Sequence, residues 1–202
     1  MNKTHAITIK LICFTIRNGM LTALLPHRTI PHTSLHPGHD LEAEVGELIR
    51  KTLRVKGDNG FFEQLYTVSE PLDNCAVSIV YYLLVPSDVI KVDDTDTWVS
   101  VFTLQGSYAD DQILLYAIQR IQWKIEYTNV VYSLLPPKFT LGEVQHVYEA
   151  ILNRPLDKRN FRKKILSLKM LKDTGKKKTL GRARPAEVYT FVSRRPTIVE
   201  IL

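Results

Sequence analysis

The stretch LDKRNFRKKIL, residues 156–166, decides how this chain is read. Asp157 is a residue type suited to capping a helix. Phe161, Ile165 and Leu168 follow at helical spacing and predict a helix over 158–168. Beside that apolar stripe stand Lys158, Arg159, Asn160, Arg162, Lys163 and Lys164, gathered near the helix start. A helix that enters the major groove reads bases mainly through its N-terminal residues. Arginine bonds guanine through two atoms and asparagine does the same with adenine. Lysine neutralises phosphates. These are the residue types of a recognition helix.

The flanks agree. Upstream, Thr140 and Glu143 form a capping-box pattern before the apolar face Leu141, Val144, Val147, Tyr148, Ile151 and Leu152. The start of that helix, Thr140 included, is also placed to receive a phosphate. Asn153, Arg154 and Pro155 make a turn, so two short helices adjoin as in a helix-turn-helix. Downstream, residues 174–178 and 181–185 separate two short apolar segments, which predicts a β-hairpin wing whose tip carries Lys176, Lys177, Arg182 and Arg184. Residues 138–195 hold 16 basic and 5 acidic side chains, whereas residues 1–137 hold 11 and 15. Such asymmetry implies a polyanion partner for one half of the chain, with nucleic acid ahead of an anionic membrane.

FTLGEVQHVYEAIL (139–152), LDKRNFRKKIL (156–166) and GRARPAEVY (181–189) together resemble the C-terminal domain of Nudix-related transcriptional regulators. The resemblance implies a winged helix-turn-helix whose DNA contacts are Lys158, Arg159, Asn160, Arg162 and the wing cations, in a dimeric repressor with a Nudix-like effector domain. Arg184 and Pro185 match the Arg-Pro pair of that family's wing.

The N-terminal half reads as mixed α and β. Ile7, Ile9, Leu11 and Cys13 alternate with Thr8, Lys10, Ile12 and Phe14, and Asn18-Gly19 signals a hairpin to a second arm over 20–25. Residues 26–38, with three prolines, read as a loop. Asp40 caps a predicted helix through Leu53, acidic early and basic late, closed by the glycines at 57 and 60. Strands are predicted at 61–68, 75–85 and 98–104, a helix at 110–127 and a short helical piece at 129–135. Pro136-Pro137 marks the expected boundary, giving units 1–136 and 137–202. The expected fold is α+β: a Nudix-like α/β/α sandwich followed by a winged helix-turn-helix.

FEQLYTVSEP (62–71) and VYYLLVP (80–86) also resemble Nudix segments. A Nudix hydrolase carries Arg-Glu-apolar-x-Glu-Glu-x-Gly on its helix, whose carboxylates hold divalent cations. In the frame set by Arg50 and Gly57, the three glutamate positions are Lys51, Arg54 and Val55. Residues 48–57 contain no carboxylate at all, so hydrolysis is not expected and the domain reads as a sensor.

His27, His32, His36 and His39 cluster in the proline-rich loop. Prolines preclude a helix that would align them, and no cysteine joins them, so no metal site is expected. Cys13 and Cys75 lack metal-ligand or disulfide spacing. With neither a signal peptide nor a membrane span in view, a cytoplasmic protein is expected. The resulting expectation is a ligand-responsive regulator without catalytic residues or cofactor. It binds palindromic double-stranded DNA as a homodimer and senses an ADP-ribose-like nucleotide or a sugar. A hydrolase with an atypical metal site, and a winged-helix adaptor for protein or RNA, are the alternatives.

Overall fold

The computed structural model describes residues 7–54, 60–70, 76–91, 98–104, 110–179, 185–199 and 201. The hairpin forms as its alternation predicts. Strands β1 (Ile7–Arg17) and β2 (Met20–Leu24) pair antiparallel across Asn18 and Gly19, both at positive φ. Both residues tolerate the left-handed region that a tight turn of matching twist requires.

The loop after β2 is not wholly irregular. His32–Ser34 forms a short strand, β3, on the free N-terminal half of β1. Three prolines masked it, because strand signals are judged by runs longer than three residues. Helix α1 spans Leu41–Leu53, with the Asp40 carboxylate accepting from the Ala43 amide. It ends earlier than the glycines suggested, on Arg54 in the left-handed conformation; Val55 and Gly57 lie outside the described residues.

Strands β4 (Phe61–Glu70) and β5 (Ala76–Leu84) pair antiparallel, and β5 runs parallel to β1. Gly60 closes no helix. A Cβ there would stand 2.6 Å from the Leu84 carbonyl, so glycine is what lets β4 start against β5. The predicted strand 98–104 divides into β6 (Trp98–Ser100) and a 3₁₀ turn over Val101–Thr103. Strand order is β4-β5-β1-β2-β6, with β3 beside β1. Helix α2 spans Asp111–Tyr127, and a 3₁₀ turn follows at Val130–Leu134.

The alternation along β1 now acquires meaning. Ile9, Leu11 and Cys13 pack with Val45, Leu48 and Leu53 of α1, whereas Ile12 and Phe14 join Leu114, Ile118 and Ile121 of α2. One helix covers each face, which gives the α/β/α sandwich. Burial on the α1 side pushes the Cys13 thiol pKa up and keeps it protonated.

The C-terminal part builds a smaller sheet. Strand β7 (Phe139–Thr140), too short to be seen in the sequence, pairs with β9 (Ala186–Phe191), which pairs with β8 (Leu171–Lys178). Helices α3 (Leu141–Leu152) and α4 (Lys158–Ser167) pack on it. Tyr148 meets Phe161 edge-on at 5.2 Å, and Phe139 meets Phe191 at 4.9 Å. The core continues across Pro136: residues of α2, the 3₁₀ turn, α3 and β9 belong to one buried cluster.

Candidate nucleic-acid interface

The helix-turn-helix is held by polar contacts that the apolar pattern does not reveal. Asn153 takes the left-handed conformation and ends α3. Gln145, mostly buried, donates through Nε2 to the Leu156 carbonyl and to Glu149 Oε1. That same Glu149 oxygen accepts from the Leu156 amide at 2.9 Å. Burial works to raise the Glu149 pKa, but the Leu156 amide and the Gln145 amide outweigh it and the carboxyl is held below its usual range. The turn is thereby clamped by two side chains one helical turn apart. Asp157 then caps α4 by accepting from the Asn160 amide at 2.8 Å.

This arrangement presents Lys158, Arg159, Asn160 and Lys163 to solvent, while Phe161 and Ile165 hold the opposite face in the core. Arg162 is half-buried. It lines a cleft of about 280 Å³ with Leu141, Gly142, Lys177 and Tyr189, between the start of α3 and the wing. Lys176 and Lys177 are exposed on strand β8 itself, not on the tip where the turn residues had put them. Gly175, at φ 68°, bends that strand between them and Asp173. Arg182 and Arg184 lie outside the described residues.

Thr140 corrects the expected contact list. It is 2% exposed, and its hydroxyl accepts from the Glu143 amide while Glu143 Oε2 accepts from the Thr140 amide. Its side chain is consumed in fixing the start of α3. Lys178 is likewise committed, donating to Glu143 Oε1 at 2.7 Å and tying the wing to α3. Burial raises the Glu143 carboxyl pKa, yet Lys178 and the Thr140 contacts prevail and keep it below its ordinary value. The Tyr189 hydroxyl, buried beside Glu187 and donating to it, has its pKa pushed up to about 12 and stays protonated.

Two further polar groups escaped sequence reasoning. Arg194 adds to the positive charge of residues 138–195, but its guanidinium donates to the carbonyls of Tyr132, Leu135 and Pro136. In the sandwich, Lys124 is 9% exposed and donates to both oxygens of Glu63, which also accepts from the Tyr82 hydroxyl at 2.6 Å. A signal did exist for Lys124: it lies three residues after Ile121 and one before Ile125, on the apolar face of α2.

The positions that hold cations in a Nudix hydrolase do not fit such an ion. Lys51 projects from the last turn of α1 near Glu47 at 3.6 Å, and Arg54 caps the helix. Cationic side chains at these positions repel a divalent ion.

An α/β/α sandwich joined to a winged helix with a basic outer face is the architecture that the resemblance to Nudix-related transcriptional regulators led one to expect. Residues 131–191 match the family model of the NrtR DNA-binding winged helix domain. The chain is 28% identical over 203 residues to the "ADPR responsive transcriptional repressor NtrR" of Acinetobacter baylyi, covering 91% of this chain and 81% of that protein. Among solved structures, Shewanella oneidensis NrtR complexed with a 27mer DNA superposes with a TM-score of 0.75 at 25% identity, over 92% of this chain and 93% of that one. A MutT/nudix family protein from Enterococcus faecalis shares the fold, with a TM-score of 0.68 at 17% identity over 95% and 88%. Residues 131–191 thus carry a winged helix of the NrtR type, and over nearly its whole length the chain is similar to regulators that join such a domain to a Nudix-like one.

Proposed function

We propose that this chain is a transcriptional repressor that binds palindromic double-stranded DNA as a homodimer and answers to an ADP-ribose-type nucleotide. One observation carries the reading: the exposed basic start of α4 stands beside the basic strand of the wing, on a fold that follows a DNA-bound relative over nearly its whole length. Lys158, Arg159, Asn160, Lys163, Lys176 and Lys177 are the DNA contacts, Arg162 flanks the cleft behind them, and Arg182 and Arg184, outside the described residues, are further contacts implied by the resemblance. Residues 137–202 form the DNA-binding unit and residues 1–136 the effector unit. ADP-ribose leads the effector candidates because the Acinetobacter baylyi relative is named for it; sugars follow.

The effector unit is not an enzyme in this reading, since Lys51 and Arg54 stand where cation-binding carboxylates are needed. Among the described residues no helix is long and apolar enough to cross a membrane, which accords with a cytoplasmic regulator. The test is a fluorescence-polarisation titration with duplex promoter DNA from the protein's own locus, repeated with ADP-ribose, NAD and pentoses. Salt-sensitive specific binding that ADP-ribose shifts is expected. Binding indifferent to every effector overturns the sensing claim, and Mg²⁺-dependent turnover of ADP-ribose overturns the non-enzymatic one.

A further inference from the structure

No helix aligns the histidines of the proline-rich loop, but a turn brings two of them together. Residues 36–39 form a turn, with the His39 amide donating to the His36 carbonyl at 3.1 Å and Gly38 at φ 81°. That turn sets both imidazoles on the first turn of α1, where Glu44 faces them. His36 Nδ1 stands 3.3 Å and His39 Nδ1 2.7 Å from the same oxygen, Glu44 Oε1. One ligand atom from each of the three residues lies within 4.8 Å of the others. His27 and His32 take no part in this group.

We propose that His36, His39 and Glu44 form a binding site for a divalent transition-metal ion of the zinc type. Two imidazoles and one carboxylate are a donor set that suits zinc and leaves a coordination position for water. Bonds of about 2.0–2.1 Å in a tetrahedron put neighbouring ligand atoms about 3.3 Å apart. The His36–Glu44 separation of 3.3 Å already has that value and the His39–Glu44 separation of 2.7 Å is shorter, so a small rotation of the His39 side chain brings the three donors to ligand spacing.

The local field favours a cation. Asp40, Glu42, Glu44 and Glu47 occupy the cap and first half of α1, and the cations of its last turn, Arg50 and Lys51, pair with Glu47. These carboxylates outweigh the roughly half-unit positive end of the helix dipole. Both histidines are exposed, with side chains 61% accessible, and Glu44 at 12% forms the floor. An ion can reach the site from solvent without any opening of the core. The site is separate from the helix positions of Lys51 and Arg54, and it stands independently of the DNA-binding proposal.

The experiment is titration of the full-length chain, stripped with chelator, with Zn²⁺ by calorimetry and with Co²⁺ by visible absorption. The expected result is one equivalent bound, with cobalt bands of low-coordinate nitrogen and oxygen ligation and a melting temperature that rises on zinc addition. His36→Ala combined with His39→Ala, and separately Glu44→Gln, are expected to weaken binding by tenfold or more. His32→Ala and His146→Ala leave it unchanged. Because both histidine side chains lie at the surface, the double-histidine variant keeps the melting temperature of the metal-free chain. No uptake by the unmodified chain, or uptake that survives loss of both histidines, overturns the proposal.

Discussion

Glu143 holds three things with one carboxylate: the amide of Thr140, the start of α3 and the ammonium of Lys178 in the wing. Its folded-state pKa is lowered, so the stabilisation is present above the ordinary value of 4.5 and disappears as pH falls through the lower folded value. Glu143→Gln retains the reach to the Thr140 amide but not the charge. The variant is expected to lose up to about 1 kcal/mol at neutral pH, discounted for partial exposure, and to match the unmodified protein once the Glu143 carboxyl is neutral. Urea melts between pH 7 and pH 3 measure this; a gap that persists at low pH would contradict it. At the same scale, cations differ by what they touch. Lys158→Ala should weaken all duplexes alike and lower the salt-dependence slope by about one, whereas Arg159→Ala should cost about 1–3 kcal/mol at a particular base pair. Binding isotherms over a salt series and a panel of single-base operator variants separate the two.

Helices and long strands were legible because their patterns are local. Asp40, Thr140 and Asp157 announced the starts of α1, α3 and α4 at the correct residue, since a capping side chain must sit at the first turn to reach its amide. Ends were harder. Arg54 and Asn153 both close helices in the left-handed conformation, which the sequence advertises only when glycine is there. The three-residue β3 and two-residue β7 exist because β1 and β9 offer unpaired edges, a property of the assembled sheet. At Asn153 the left-handed geometry is tolerated by asparagine and opposed by a β-branched side chain. Asn153→Val is therefore expected to destabilise by about 1–2 kcal/mol and to loosen the turn that aims α4, while Asn153→Gly is near neutral. Thermal unfolding with duplex binding at matched temperature checks both; equal stability of the valine variant would refute the strain argument.

Over the whole molecule, charge asymmetry located the basic face, yet it overstated how many cations are free. Lys178 is paired with Glu143 and Arg194 with three carbonyls, and a sequence count cannot tell an unpaired cation from one committed to a partner in the fold. The grouping of His36 and His39 with Glu44 is hidden for a related reason: the carboxylate stands on the adjoining helix, brought near by a turn. Arg194 should be costly to remove. Arg194→Ala leaves three carbonyls without their donor and is expected to cost about 1–3 kcal/mol, seen as a lowered denaturation midpoint with the slope unchanged. An unaltered midpoint would show that solvent replaces the guanidinium freely. The chain around Arg194 matters beyond its own contacts. Residues 195–199 and 201 run back along the end of α2, with the amides of Val199 and Ile201 donating to Tyr127 and Glu126, Asn129 bonding Arg195 and Thr197, and Ile198 bridged to Thr128. This returning segment, the shared core and the Gln122 side-chain amide on the Ile151 carbonyl fasten the winged helix to α2 beyond the covalent passage at Pro136-Pro137. A protease nick at the prolines would then yield fragments that travel together through gel filtration, and a displacement of α2 would carry the winged helix with it, as a handle carries the blade it is riveted to.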